Sequence, residues 1–290
     1  MRPAPGVHTQ WLQMSETRAG AYGLSFGPPV EPSYLVAAPE HWPQWHLEWR
    51  LHRPDAWPPE RIGDERALVN LLPRGQVLVD RATATSTLLL PEPPSPHAWV
   101  HPYLSSTAVV AARWAGRQSF HAGCFVLDGC AWGVIGERNA GKSSALAWMA
   151  SHGLAVVCDD ILVLDRDRAL AGPRCLDLRQ SAAEHFGLGT YIGQVGSRER
   201  WRAPLPPVSP SYPFKGWVAP NWGNEVAFAG LSATVRMALL LEHRGLLTPE
   251  PNDPAWLSLL AKPMVKLVRP RDWGRADEAM RCLLDELRSL

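Results

Sequence analysis

The chain carries no excess charge of either sign. Its 29 Lys and Arg stand against 28 Asp and Glu in 290 residues, a net of +1. Such a balance gives no broad basic field for nucleic acid. Cysteine is sparse: Cys124, Cys130, Cys158, Cys175 and Cys282 make an odd five, and no two have C-x-x-C spacing. That argues against a disulfide framework and against a structural zinc site. Cys124 and Cys158 lie in apolar runs and read as small buried residues. No apolar run nears the roughly 18 residues that span a bilayer, so no membrane partner is expected. The opening residues 1–13 (MRPAPGVHTQWLQ) contain no apolar segment of the signal-peptide kind. A reduced cytoplasm, where ATP is available, fits these absences.

What is present is apolar residue to fill a core, at 46%, together with 28 Pro and 14 Trp. Pro and Trp are dense in residues 41–59 (HWPQWHLEWRLHRPDAWPP). That stretch reads as an irregular, well-packed edge, with an aromatic partner surface as the sharper alternative. Residues 21–26 (AYGLSF) are strand-like. Residues 76–80 and 85–90 (QVLVD, TSTLLL) read as two strands about a turn at 81–84. The run PEPPSP at 91–96 breaks the pattern. It divides the chain into a mostly β region, residues 1–97, and an α/β domain, residues 98–290.

The second region begins with a helix capped by Ser105 or Ser106 and ending at Gly116. A strand is expected over 120–127, a two-residue hairpin at Asp128-Gly129, a strand over 131–135, and a helix over 142–152 closed by Gly153. Residues 154–158 (LAVVC) are a short buried strand that delivers Asp159 and Asp160 at its end, and 161–165 continue as another. Ser181 and Glu184 have capping-box spacing. Residues 189–224, rich in Gly, Pro, Arg and Trp, read as loops. Residues 236–242 could be strand or helix. Asp253-Pro254 looks like the start of a short helix, and 275–287 form an amphipathic one.

Between the hairpin and the helix, Gly136-Glu137-Arg138-Asn139-Ala140-Gly141-Lys142-Ser143 matches G-x-x-x-x-G-K-[ST], followed by Ser144. The glycines permit backbone angles that turn N–H groups inward around phosphate oxygens. The following helix points its positive end at the same place. Lys142 supplies a mobile ammonium for the β/γ phosphates, and the Ser143 hydroxyl can ligate Mg²⁺. The loop leaves an apolar strand and enters a helix, the context this mechanism needs. The N-K-x-D guanine signature is missing, which disfavours a GTPase switch.

Asp159-Asp160 ends the strand after that helix, and strand ends in an open α/β sheet face the ligand crevice. One carboxylate can hold Mg²⁺ with Ser143 while the other accepts the proton of an attacking hydroxyl. Arg179, Arg198, Arg200, Arg202 and Lys215 could add positive charge. Arg198, Arg200 and Arg202 would share one face of an extended segment, a stripe suited to phosphate or an acidic peptide. Arg202 and Arg179 are the preferred assistants. A protein or peptide serine kinase, a metabolite kinase and a nucleotide-dependent binding module all stay open on these residues; the intact acids favour the enzymes.

The order of His121, the Asp128-Gly129 hairpin, the phosphate loop, the helix ending at His152-Gly153 and Asp159-Asp160 resembles HPr kinase/phosphorylase. The similarity covers residues 119–165. The 15 residues from His121 to Gly136 look like that family's spacing. Gly172-Pro-Arg-Cys-Leu-Asp-Leu-Arg179 and Arg198-Glu-Arg-Trp-Arg-Ala-Pro-Leu205 look closer to HPr-kinase-related proteins, including those that phosphorylate ribosomally made peptides such as lasso precursors. The resemblance implies a phosphoenolpyruvate-carboxykinase-like P-loop kinase domain, with a smaller mostly β domain before it. It implies Mg·ATP as phosphoryl donor and a serine of a peptide or small protein as acceptor. By the same analogy Asp159 is the base, Asp160 a metal-side residue and His121 a helper near the phosphate. The family's Glu-Ile-Arg-Gly-type signature is not found; a Pro-, Arg- and Trp-rich stretch fills its place.

Overall fold

The computed structural model describes residues 18–196, 198–246 and 255–290. It is a mixed α/β structure with three sheets. Residues 18–90 form an eight-stranded sheet built around Gln44–Leu51, which pairs in parallel with Leu24–Phe26 on one side and Thr85–Leu90 on the other. Of the Pro- and Trp-rich stretch, Gln44–Leu51 is therefore an inner strand and not an irregular edge, while residues 52–59 are irregular. Alternation puts Trp45 and Leu47 on the buried face, and Trp45 donates from its indole to the Ser86 hydroxyl at 2.9 Å. Residues 21–26 are not one strand either. Tyr22 and Gly23 both take positive φ and fold Ala19–Ala21 back on Leu24–Phe26 as a tight hairpin.

A nine-stranded sheet carries the second half of the chain. The long strand Ser211–Trp222 lies within it. It runs parallel to Cys130–Ile135 on one side and to Met264–Arg269 on the other. The hairpin at Asp128-Gly129 forms as expected, with φ of 49° and 80°. The strand before it is broken: His121 separates Gln118–Phe120 from Ala122–Leu127, and the two halves pair with different neighbours. A third sheet joins Cys175–Leu178, Arg198–Pro204 and Thr190–Val195.

Residues 189–224 are therefore largely strands, against the expectation of loops. Gly193 and the prolines of 204–213 interrupt local propensity, but tertiary pairing overrides it. The capping box is not used. The helix is Gln180–Phe186 with Arg179 at its N-cap, and Glu184 instead accepts from the Gln180 amide at 2.7 Å. Residues 236–242 fall in the helix Ala233–Glu242, capped by Ser232. The C-terminal helix Ala276–Arg288 buries Ala279, Met280, Leu283 and Leu287. Asp253-Pro254 lies outside the described residues. Among the described residues no helix is long and apolar enough to cross a membrane.

Two apolar cores flank the nine-stranded sheet. One runs from Tyr22 and Trp45 through Leu104 and Phe120 to Trp217, so it takes side chains from both sides of residue 97. The other packs Trp148, Leu146 and Met149 of the loop's helix against Leu283 and Leu287. The phosphate loop is thereby anchored at the helix that follows it, whose residues Ala145–Met149 are buried.

Candidate functional site

Three parallel strands end at one place. Cys130–Ile135 runs into the loop at Gly136, Ser211–Trp222 ends at Trp222, and Met264–Arg269 ends at Arg269. Carboxyl ends of parallel strands bound the usual ligand crevice of such sheets. Here they open a cavity of about 730 Å³, a size that suits a small-molecule ligand. Gly136, Arg138, Asn139, Gly141, Lys142, Ser143 and Ser144 line it; Glu137 and Ala140 do not. The helix Lys142–Ser151 starts at Gly141, whose φ is +87°. Its first-turn residues Lys142, Ser143 and Ser144 line this space, and first-turn N–H groups have no carbonyl of their own helix to bond. The Lys142 ammonium donates to the carbonyls of Gly136 and Glu137. Burial lowers its pKa, against the pull of Asp160 and Asp159.

The loop is clamped from above. The Trp222 indole donates to the Asn139 carbonyl at 2.8 Å, and Arg269 stacks on the same ring at 4.6 Å. A Cβ on Gly141 would lie 2.6 Å from an Arg269 nitrogen and 2.9 Å from the Trp222 ring. The glycine is thus required by the packing above it as well as by its φ. Arg269 is 3% exposed. Its Nη2 reaches the Gly141 carbonyl at 3.3 Å and its Nε has no partner among the described residues. Burial alone pushes its pKa down to about 10.

The two aspartates are not equivalent. Ser143 donates to Asp159 Oδ1 at 3.0 Å, and the Asp177 amide donates to Asp159 Oδ2 at 3.1 Å. Burial first, then the Asp160 charge, raise the Asp159 pKa to about 6, although those two hydrogen bonds lower it. Asp160 is exposed in the same cavity, 3.8 Å from His101 Nδ1. Burial lowers the pKa of His101 in spite of Asp160 and Asp177 beside it. Of the two acids, it is Asp159 and not Asp160 that bonds Ser143. Two cis ligands about 2.1 Å from one octahedral ion stand about 3.0 Å apart. The Ser143–Asp159 separation fits an edge of a Mg²⁺ site. Among the described residues no three His, Cys, Asp or Glu cluster as a metal cage.

Arg202 is placed differently from expectation. It is 1% exposed, does not line the cavity, and grips Asp177 with two bonds of 2.7 and 2.8 Å. Arg202 also donates to the His97 carbonyl at 2.9 Å. Arg200 approaches Asp177 at 3.7 Å. Burial opposes the Asp177 charge, but the Arg202 bonds, His101 and Arg200 hold its pKa below the ordinary value. Arg202 is thus a positioning residue: it fixes Asp177, whose amide fixes Asp159, which holds Ser143. Arg179 and Arg198 do line the cavity. His121 also lines it, and its amide donates to the His243 carbonyl at 2.7 Å. Lys215 lies on the long strand and does not line the cavity.

No protein-family model matches the chain, and no curated protein matches it. Among solved structures, a chain described as the Hpr(Ser) kinase/phosphatase from Coxiella burnetii is similar. The match covers 59% of this chain and 99% of that one, at 15% identity and a TM-score of 0.30.

Sequence reading missed His101, Asp177, Trp222, His243, Arg269 and Trp273, all of which line the cavity. A signal existed for Arg269: the apolar run MVKLV before Arg269-Pro270 has strand composition, and a strand's last residue is a crevice position. His101 and His243 carry no such pattern. Their place comes from a kinked segment and a helix end.

Proposed function

We propose that this chain is a Mg²⁺-dependent ATP kinase that transfers the γ-phosphoryl group to a hydroxyl, that of a serine in a peptide or small protein. One observation carries the reading. The helix that opens with Lys142 and Ser143 brings its serine hydroxyl 3.0 Å from Asp159, at the carboxyl ends of the parallel strands. Backbone N–H groups of the loop, Lys142 and Arg269 bind the phosphates. Ser143 and Asp159 would hold Mg²⁺, which when bound neutralises charge on the β and γ oxygens. Asp160, the carboxylate standing free in the cavity, takes the acceptor proton as the new O–P bond forms and the bond to the leaving ADP breaks. Trp222 holds the loop in register through Asn139. The choice of serine as acceptor rests on the sequence order from His121 to Asp160, and the division of labour between the acids rests on the distances.

Mg·ATP should raise the melting temperature, because a ligand bound only by the folded state stabilises it. Lys142→Ala should remove most of that rise, and an unchanged rise would rule out the loop. Asp160→Asn should keep the rise and lower transfer from γ-labelled ATP to a serine peptide by roughly 10²-fold, the scale of a general base.

A further inference from the structure

Asp160, the base of the proposed transfer, stands in the cavity with little to hold it. Its carboxylate is exposed and makes no side-chain hydrogen bond among the described residues. Its one basic neighbour in ion-pair range there is the His101 ring, whose Nδ1 lies 3.8 Å from Oδ2. Asp159, next to it in sequence, is held by two hydrogen bonds. A general base works only when its oxygen is within reach of the proton it takes, and an exposed carboxylate needs a neighbour to keep it there. His101 is itself fixed. It lies in the segment that joins the two halves of the chain. Pro102 disfavours the α conformation at the residue before it, and His101 takes φ −154° and ψ 127° inside an otherwise helical run. Trp99, Val100 and Leu104 around it are buried in the core. The His97 carbonyl of the same segment accepts from Arg202, the arginine that grips Asp177. Beside the ring is a small cavity of about 10 Å³, lined also by Tyr22, Asp159, Asp160 and Asp177. That is the space of roughly one water-sized sphere, so the imidazole cannot swing into it.

We propose that His101 is the positioning residue for Asp160: its Nδ1–H donates to the free carboxylate and holds it toward the hydroxyl that attacks the phosphoryl group. The neutral Nδ1–H tautomer and the imidazolium both donate from that atom. The separation of 3.8 Å is longer than a hydrogen bond, and a small rotation of the exposed Asp160 side chain closes it. Bonds of this kind tighten when substrate seats. No proton passes to the ring. The acceptor hydroxyl gives its proton to Asp160 as the O–P bond forms and the bond to ADP breaks, and Asp160 releases that proton to water. The segment between the two halves of the chain thereby becomes part of the catalytic centre, tied to the acids at His97 through Arg202 and at His101 directly. This rests on the kinase reading for what Asp160 does, but not for whether the ring holds it.

The test uses two polar replacements that differ in reach. His101→Asn puts an amide N–H near the place of Nδ1, and His101→Gln puts one near the place of Nε2. For transfer from Mg·ATP to a serine peptide, His101→Gln should lower kcat about tenfold or more, with KM for ATP and the thermal shift by Mg·ATP unchanged. His101→Asn should recover part of that loss. In an Asp160→Asn background, His101→Gln should cost nothing further, since the carboxylate it served is gone. The contact is also read without turnover, by ¹⁵N NMR of the full chain labelled at histidine, in EDTA at pH 8. The His101 ring, assigned by its loss in His101→Asn, should carry its proton on Nδ1 in the wild type and on Nε2 in Asp160→Ala. A wild-type kcat in His101→Gln, a loss confined to KM for ATP, a further loss on top of Asp160→Asn, or a proton on Nε2 in the wild type would each overturn the proposal. A wild-type chain that transfers no phosphoryl group overturns the kinase reading alone, since the ring nitrogens still report the hold on Asp160.

Discussion

Replacing Asp159 with Asn removes a charge that the fold holds at a cost. The Asp159 pKa rises from 3.8 to about 6 because of burial and the Asp160 charge. A difference of roughly two pH units is worth about 3 kcal/mol at 1.36 kcal/mol per unit. Partial solvation of the side chain trims the working figure to about 2 kcal/mol. Asn can keep both contacts: its oxygen accepts from the Asp177 amide, and its NH₂ donates to the Ser143 hydroxyl. A carboxyl whose folded pKa lies above its unfolded value favours the protonated folded state. Its stabilising contribution is therefore complete below about pH 4 and is lost as pH rises through about 6. In EDTA, the gain in melting temperature of Asp159→Asn should be smallest near pH 4.5, roughly a third of its full size, and complete at pH 8. At about 2–4 °C per kcal/mol for a chain of this size, the gain is on the order of 5 °C. Scanning fluorimetry from pH 4.5 to 8 checks this. A gap independent of pH, or a variant less stable at pH 8, would refute the argument. The same substitution should weaken Mg²⁺-dependent nucleotide binding, so stability and function would move in opposite directions.

Two further outcomes follow from the geometry. Arg202→Ala leaves the Asp177 carboxylate buried without its bidentate partner, so urea unfolding should show a loss of about 3–5 kcal/mol; Arg202→Lys should recover only part, since an ammonium cannot make the fork. Trp222→Ala removes the bond to the Asn139 carbonyl and the ring under Arg269, and calorimetry should show Mg·ATP binding weakened about tenfold, or about 1.4 kcal/mol, with the melting temperature of the free protein little changed; a large fall in that temperature would make Trp222 a core residue rather than a clamp on the loop.

The sequence by itself determined what short-range chemistry specifies. The Asp128-Gly129 turn, the glycines and Lys142-Ser143 of the loop, the helix after it and the stripe of Ala276–Arg288 each have a local cause: a positive φ, an N-terminal dipole or a period of 3.6 residues. Those causes also put Asp159 and Asp160 at a strand end. Local pattern could not say that Ser211–Trp222, a stretch holding Pro213 and Pro220, would become the strand between two parallel neighbours, because the bonds that hold it come from residues 131–134 and 264–269. Nor could it say which arginine of the 198–202 stripe meets phosphate. Alternation puts all three on one face, but only the register of Asp177 against Arg202 commits that arginine to a buried ion pair, while Arg198 lines the cavity. The division between the two aspartates was likewise decided in three dimensions. Adjacent residues of a chain point apart, and the one that turns toward Ser143 is set by the Asp177 amide, 18 residues further along the sequence.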